Sequence, residues 1–185
     1  MNFLSRLLGV DITRNWTADS GLKIKIDFNK FALCGVKVGD PVERLEKFGP
    51  AQDKSAAGHG VLRYYSRGVE IGINNGLVAH YVLVIDDYLK LGYQPFSGLC
   101  EYQGNNIAIN EGTTEGDIID YFGEPYWRSD DSDEIILFYE FKDTEMQVEL
   151  STDRKLKAFV IVAPPLLADE EQRKSYGVTK SWPPF

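Results

Sequence analysis

Phe48-Gly49-Pro50 followed by Leu62-Arg63-Tyr64-Tyr65 recurs later in the chain as Phe122-Gly123-Glu124-Pro125 followed by Ile136-Leu137-Phe138-Tyr139. The steps from Phe48 to Phe122 and from Leu62 to Ile136 are both 74 residues, so a helix end and a strand keep one spacing in two halves of the chain. Recurrence at a fixed period is the signature of a duplicated unit. This register predicts that Leu62 and Tyr64 correspond to Ile136 and Phe138, with Phe48 and Phe122 as equivalent buried anchors.

Each unit opens with a short strand, Phe31-Ala32-Leu33 in the first and Ile107-Ala108-Ile109 in the second. A helix follows. In the first copy Asp40 suits the N-cap, Pro41 suits the first helical position, and Val42, Leu45 and Phe48 share a face before Gly49-Pro50. In the second copy Thr113 or Thr114 caps the helix, Glu115 and Asp117 complement its positive end, and Ile118, Ile119 and Phe122 form the apolar stripe. Three strands come next, over 61–66, 69–74 and 77–85, then over 134–142, 146–151 and 155–162. Asn74-Asn75-Gly76 predicts a tight hairpin, since Asn and Gly accept the positive φ such turns require.

The expected class is therefore α+β, with two tandem β-α-β-β-β repeats making an antiparallel sheet whose helices pack on one face. The organisation reads as an N-terminal helix and strand (1–30), a first repeat (31–85), a linker (86–104), a second repeat (105–162) and a C-terminal helix and tail (163–185). Phe3, Leu4, Leu7 and Leu8 give the first helix one apolar face. Leu22 to Phe28 alternates as a half-buried strand. Trp182 and Phe185, beside Pro183-Pro184, are expected to pack back on the body.

The segments Gly39-Asp40-Pro41-Val42-Glu43-Arg44-Leu45-Glu46-Lys47-Phe48-Gly49-Pro50 and Gly112-Thr113-Thr114-Glu115-Gly116-Asp117-Ile118-Ile119-Asp120-Tyr121-Phe122-Gly123-Glu124-Pro125 carry a resemblance. Their glycine, polar cap, short helix, glycine and proline pattern resembles the tandem-repeat fold of beta-lactamase inhibitory proteins and of small outer-membrane lipoprotein (SmpA/OmlA) domains. The resemblance implies helices on one face of an antiparallel sheet and a protein-binding role for the other, concave face. Those inhibitors hold a disulfide in each repeat, whereas this chain has one cysteine per half, Cys34 and Cys100, which read as reduced core thiols.

A chain of 185 residues with 43% hydrophobic content can bury a substantial core. Its formal charge of -8 and pI near 4.8 disfavour nucleic-acid backbones and anionic membrane surfaces, and favour a basic protein or peptide partner. No apolar run approaches the roughly 18 residues that span a bilayer. With no secretory cleavage pattern at the N-terminus, the reading is a cytoplasmic protein.

No nucleophile-elbow, zinc-protease or phosphate-loop motif is present. His59 and His80 lack ligand-spaced neighbours. Asp130-Asp131-Ser132-Asp133-Glu134 lacks the glycine and the alternating oxygen ligands of a calcium loop, so no metal and no cofactor are expected. Strand alternation selects the face turned away from the helices. It assigns Arg63, Tyr65, Glu70, Tyr139, Gln147, Glu149 and Phe159 to a protein-binding surface. The reading is a non-enzymatic protein-binding module, of inhibitor or immunity type. Alternatives are an enzyme using carboxylates and His80 in a cleft, or a homodimer joined through that sheet face.

Overall fold

The Asn74-Asn75-Gly76 turn places Asn75 at φ 53° and Gly76 at φ 77°, the left-handed pair that lets two right-twisted strands meet after two residues. From that hairpin the computed structural model builds outward, describing residues 11–53, 59–87 and 90–184. The expected apolar helix face of Phe3, Leu4, Leu7 and Leu8, the His59 side chain and Phe185 lie outside the described residues.

The elements run β1 (Lys25–Asp27), β2 (Ala32–Leu33), β3 (Val36–Lys37), a 3-10 helix (Val42–Phe48), β4 (His59–Tyr64), β5 (Val69–Asn74) and β6 (Leu77–Val84). Then come β7 (Leu99–Tyr102), β8 (Asn105–Ile107), α1 (Glu115–Phe122), β9 (Trp127–Asp130), β10 (Ile135–Glu140), β11 (Glu145–Leu150), β12 (Leu156–Val162) and α2 (Glu170–Ser175). The fold class is α+β. Seven strands form one antiparallel sheet in the order β4-β5-β6-β12-β11-β10-β9. Five short strands form a second sheet, β3-β2-β1-β7-β8, in which β1 and β7 are parallel.

That second sheet departs from the single sheet the sequence suggests. Leu99-Cys100-Glu101-Tyr102 and Trp127-Arg128-Ser129-Asp130 are too short for their alternation to stand out, so β7 falls in what reads as linker and β9 in what reads as loop. The two helices also differ from each other. Thr114 and Asp117 close a capping box on α1. Asp40 instead receives Lys37 N–H and Arg44, while Pro41 stays extended (ψ 133°), and a 3-10 helix follows without a side-chain cap.

Two inward rows cross the large sheet. Leu62, Ile71, Tyr81, Ile161, Met146 and Tyr139 stand side by side, and Tyr64, Val69, Leu83, Phe159, Val148 and Leu137 form the next row. All twelve are buried. Against them pack Ile26, Phe28 and Leu33 of the small sheet, Val42, Leu45 and Phe48 of the 3-10 helix, and Ile118 and Phe122 of α1. Phe48 is buried edge-on to Tyr64, and the half-buried Phe122 lies among Phe28, Tyr102, Tyr139 and Phe159.

The 74-residue register therefore needs correction in β10. Leu137 and Tyr139 face the core where Ile136 and Phe138 were expected, and the latter pair points to the opposite side. Tyr64 donates to the Gly49 carbonyl at 3.0 Å and Tyr139 donates to the Gly123 carbonyl at 2.9 Å. The glycines are 74 residues apart and the tyrosines 75. One extra residue before β10 slips the strand, and a one-residue slip exchanges its faces.

Leu137→Ala should accordingly lower unfolding free energy by about 2 to 5 kcal/mol, the cost of emptying a buried leucine site. Tyr139→Phe should cost about 1 kcal/mol by losing only the bond to Gly123. Urea denaturation of the two variants measures both.

Candidate functional site

The side chains between the inward rows form the outer face, whose central row reads Arg63, Glu70, Val82, Val160, Gln147, Phe138 and Trp127 across all seven strands. Val84, Ala158, Glu149 and Ile136 stand in the row beside it. A bulge decides that arrangement. Glu149 faces Ala158 but Leu150 faces Leu156, so Lys157 is the extra residue and the alternation resets after it. Leu156 and Phe159 thus both point inward, and Ala158 and Val160 point outward.

The Lys157 carbonyl accepts from the amides of Ile85 and Asp86, at 2.7 and 3.0 Å, where the chain leaves β6. Asp87 then receives the amides of Leu91, Gly92 and Tyr93, turning the segment back over the outer face. It re-enters beside Gly68, where Gln94 donates to Tyr65 and Phe96 to Val84. A Cβ at Gly68 would stand 2.5 Å from Gln94 O and Phe96 N, so only glycine admits this crossing. The other end of the face is covered by the C-terminal segment, which packs Leu167, Tyr176, Val178 and Trp182 on Ile136, Phe138 and Trp127. Trp127 Nε1 donates to Tyr176 O at 3.0 Å.

Between the two covers lies a cavity of about 300 Å³, lined by Val82, Val84, Ala158 and Val160 and rimmed by Arg63, Glu70, Asp86, Tyr93 and Glu149. Its polar wall is fixed. Glu70 Oε2 accepts from Arg63 Nε at 2.9 Å and from the Tyr93 hydroxyl at 2.8 Å. Arg63 Nη1 reaches Asp53 at 2.6 Å, and the Tyr65 ring lies 4.7 Å from that of Tyr93. His80 stands 4.0 Å from Glu70 Oε1. It can lie over β5 because Gly72 faces it, where a Cβ would come within 2.0 Å of the imidazole. The His80 imidazole, with the Tyr93 hydroxyl and Arg63 guanidinium, holds the Glu70 carboxyl at about 2 against the opposing effect of burial. A carboxylate held there stays ionised and exchanges protons poorly near neutrality.

A different carboxylate environment lies under the C-terminal cover. Glu140 faces Glu145 across β10 and β11, and Glu145 accepts from Gln147 Nε2 and from Leu167 N–H. Burial first, and then the facing Glu145, pushes the Glu140 carboxyl up to about 9.

Of the surface residues expected from sequence, Arg63, Tyr65 and Glu70 come together and Glu149 lines the same cavity. Gln147 shares their row but is buried, bonded to Glu145. Tyr139 and Phe159 are corrections, because both lie in the inward rows, Tyr139 through the slip in β10 and Phe159 through the Lys157 bulge. Tyr93 and Asp53 escape sequence reading because they sit in irregular segments without periodicity. The outward Val82 and Val84 lie in the continuous apolar run Tyr81-Val82-Leu83-Val84-Ile85, which signals burial on both faces but not which residues face the cavity. Among the described residues, no cluster of three or more His, Cys, Asp or Glu side chains is placed to hold a metal ion. Nor is any described helix long and apolar enough to cross a membrane. Cys34 and Cys100 are free thiols.

No family model matches the chain, and no curated protein matches it. Among solved structures it is similar to a DUF4309 family protein (YjgB) from Bacillus subtilis subsp. subtilis str. 168. The identity is 13%, the alignment covers 70% of this chain and 82% of that one, and the TM-score is 0.46. Similarity at that level fixes neither fold nor activity.

The two carboxylates set opposite pH dependences. Glu70 is depressed in the folded state, so its contribution is present above the usual carboxylate range and fades as pH falls from about 4.3 toward 2. Glu140 is raised, so the folded protein keeps a proton that the unfolded chain releases near about 4.3, and stability declines as pH rises from there to about 9. Melting temperatures across this range should show Glu70→Gln flattening the acid limb and Glu140→Gln flattening the alkaline one.

Proposed function

We propose that this protein is a non-enzymatic binding module whose outer-face cavity receives a lysine or arginine side chain from a basic protein segment. The observation that carries this reading is the pairing of an apolar floor with an acidic rim. Val82, Val84, Ala158 and Val160 suit the aliphatic stem of a long cationic side chain, and the ionised Glu70, with Asp86 and Glu149, suits its head. The cavity's size fits one such side chain rather than a whole helix. The net charge of -8 speeds the encounter with a basic partner.

We further propose that the two halves of the large sheet descend from one duplicated unit. Support comes from the two tyrosine-to-glycine bonds and from the matching bulges. Val78 and Tyr81 both point inward across a bulge in β6, as Leu156 and Phe159 do across the bulge in β12. Read in opposite directions, the row from Leu62 to Tyr139 and the row from Tyr64 to Leu137 match position for position, with corresponding residues 75 to 78 apart in the chain. On this account a binding cavity arises at the junction of the two copies, where neither copy alone has a floor.

Fluorescence anisotropy with a labelled peptide of alternating leucine and arginine, against its citrulline counterpart, tests the binding reading. The arginine peptide should bind at least tenfold more tightly than the citrulline peptide, and Val160→Arg should abolish that binding without changing the circular dichroism spectrum. Equal binding of the two peptides, or undiminished binding by Val160→Arg, would sink the proposal.

A further inference from the structure

Arg67 is unlike the other arginines that line the molecule's polar networks. Arg44, Arg63, Arg128 and Arg154 each pair with a carboxylate. The Arg67 guanidinium lies over the rings of Phe48 and Tyr64, 5.3 and 5.8 Å from their centroids, and its Nη1 is shut away from solvent with no hydrogen-bond partner. Stacking on two rings stabilises the cation but leaves the Nη1 donors unanswered. Asp11, whose charge also acts on Tyr64, accepts from the amide and hydroxyl of Thr13. No described carboxylate forms an ion pair with Arg67.

Arg67 also lines a cavity of about 420 Å³, on the opposite side of the sheet's edge from the cationic-side-chain site, with Leu22, Lys23, Ile24, Ser97, Gly98 and Leu99. Its polar lining is a second cation and a hydroxyl, with no acid, in a chain whose acids outnumber its bases 28 to 20. Leu22, Ile24 and Leu99 form apolar walls. Leu99 is 48% exposed although it begins a strand. The wall is held closed at its base because Leu99 N–H donates to Ile24 O at 2.9 Å and Gly98 passes Ile24 O where a Cβ would stand 2.9 Å away.

We infer that this cavity is a binding site for a small monocarboxylate with an apolar body, its carboxylate paired with Arg67 and its hydrocarbon laid against Leu22, Ile24 and Leu99. A guanidinium carries donors on more than one edge, so the carboxylate pairs with the part of Arg67 that lines the cavity while the enclosed Nη1 stays against the rings, and Lys23 adds a point charge at the mouth. The apolar walls distinguish such a ligand from an inorganic anion, which gains nothing from them. This site is independent of the outer-face cavity and of the reading given to it.

Hexanoate is the probe, with hexanol and inorganic phosphate as controls, titrated into the full chain and followed by amide chemical shifts of Ser97, Gly98 and Leu99. Hexanoate should shift these amides saturably, and hexanol and phosphate should not. Arg67→Met keeps a flexible apolar stem over Phe48 and Tyr64 and should weaken hexanoate binding at least tenfold. Leu99→Glu offers a tethered carboxylate from the wall, and should both block hexanoate and raise the melting temperature. Absence of saturable shifts with hexanoate, equal response to phosphate, or unaltered binding by Arg67→Met in a folded variant would each overturn the inference. Hexanoate binding undiminished by Leu99→Glu would overturn it as well.

Discussion

Everything in the large sheet depends on the antiparallel pairing of β6 with β12, which sets Tyr81 against Ile161 and Leu83 against Phe159. That contact joins a three-stranded meander (β4 to β6) and a four-stranded one (β9 to β12) through their last strands and makes their inward rows continuous. Each row then supplies six apolar side chains in line, with the small sheet, the 3-10 helix and α1 as the covering layer. A slip of this register by one residue would turn the inward pair of one strand, Tyr81 and Leu83 or Phe159 and Ile161, to the outer face.

The two bulges convert that scaffold into a surface with local character. The insertion at Lys157 turns Ala158 and Val160 outward, giving the central outer face an apolar floor, and the same residue's carbonyl captures the chain as it leaves β6. One irregularity thereby makes the floor and starts the segment that walls it. At the opposite end the C-terminal segment buries Ile136 and Phe138, so the open part of the face is confined to the middle strands.

Charge is distributed with the same economy of position. Glu70 stays ionised because Arg63, Tyr93 and His80 converge on it, whereas Glu140, four strands away, meets another carboxylate beneath an apolar cover and is driven toward its neutral form. Two glutamates on one sheet face therefore differ in protonation because their neighbours differ, with burial opposing the charge of both. Arg67 represents a third situation, a cation stabilised by aromatic faces with no carboxylate paired to it among the described residues.

Local chemistry was legible in the chain itself. Asn74-Asn75-Gly76 specifies its hairpin, Thr114 with Asp117 specifies the start of α1, and the alternation of Val69, Ile71 and Ile73 specifies the core side of β5, because each signal involves only neighbours along the backbone. Arg63, Glu70 and Glu149 could be assigned to the outer face for the same reason. The tertiary structure alone decided the rest. β7 and β9 become strands only by pairing with distant partners, and the inward turn of Tyr139 follows from one additional residue ahead of β10. Phe159 enters the core because a bulge, which no pattern of apolar residues announces, resets the alternation of β12. Asp53 reaches Arg63 through an isolated bridge to β4, and Tyr93 reaches Glu70 from an irregular segment whose path is set by close contacts at Gly68 and Lys157. Period-two alternation reports which side of a strand is apolar, but its phase is set by pairing across the sheet, and that information resides in the partner strand.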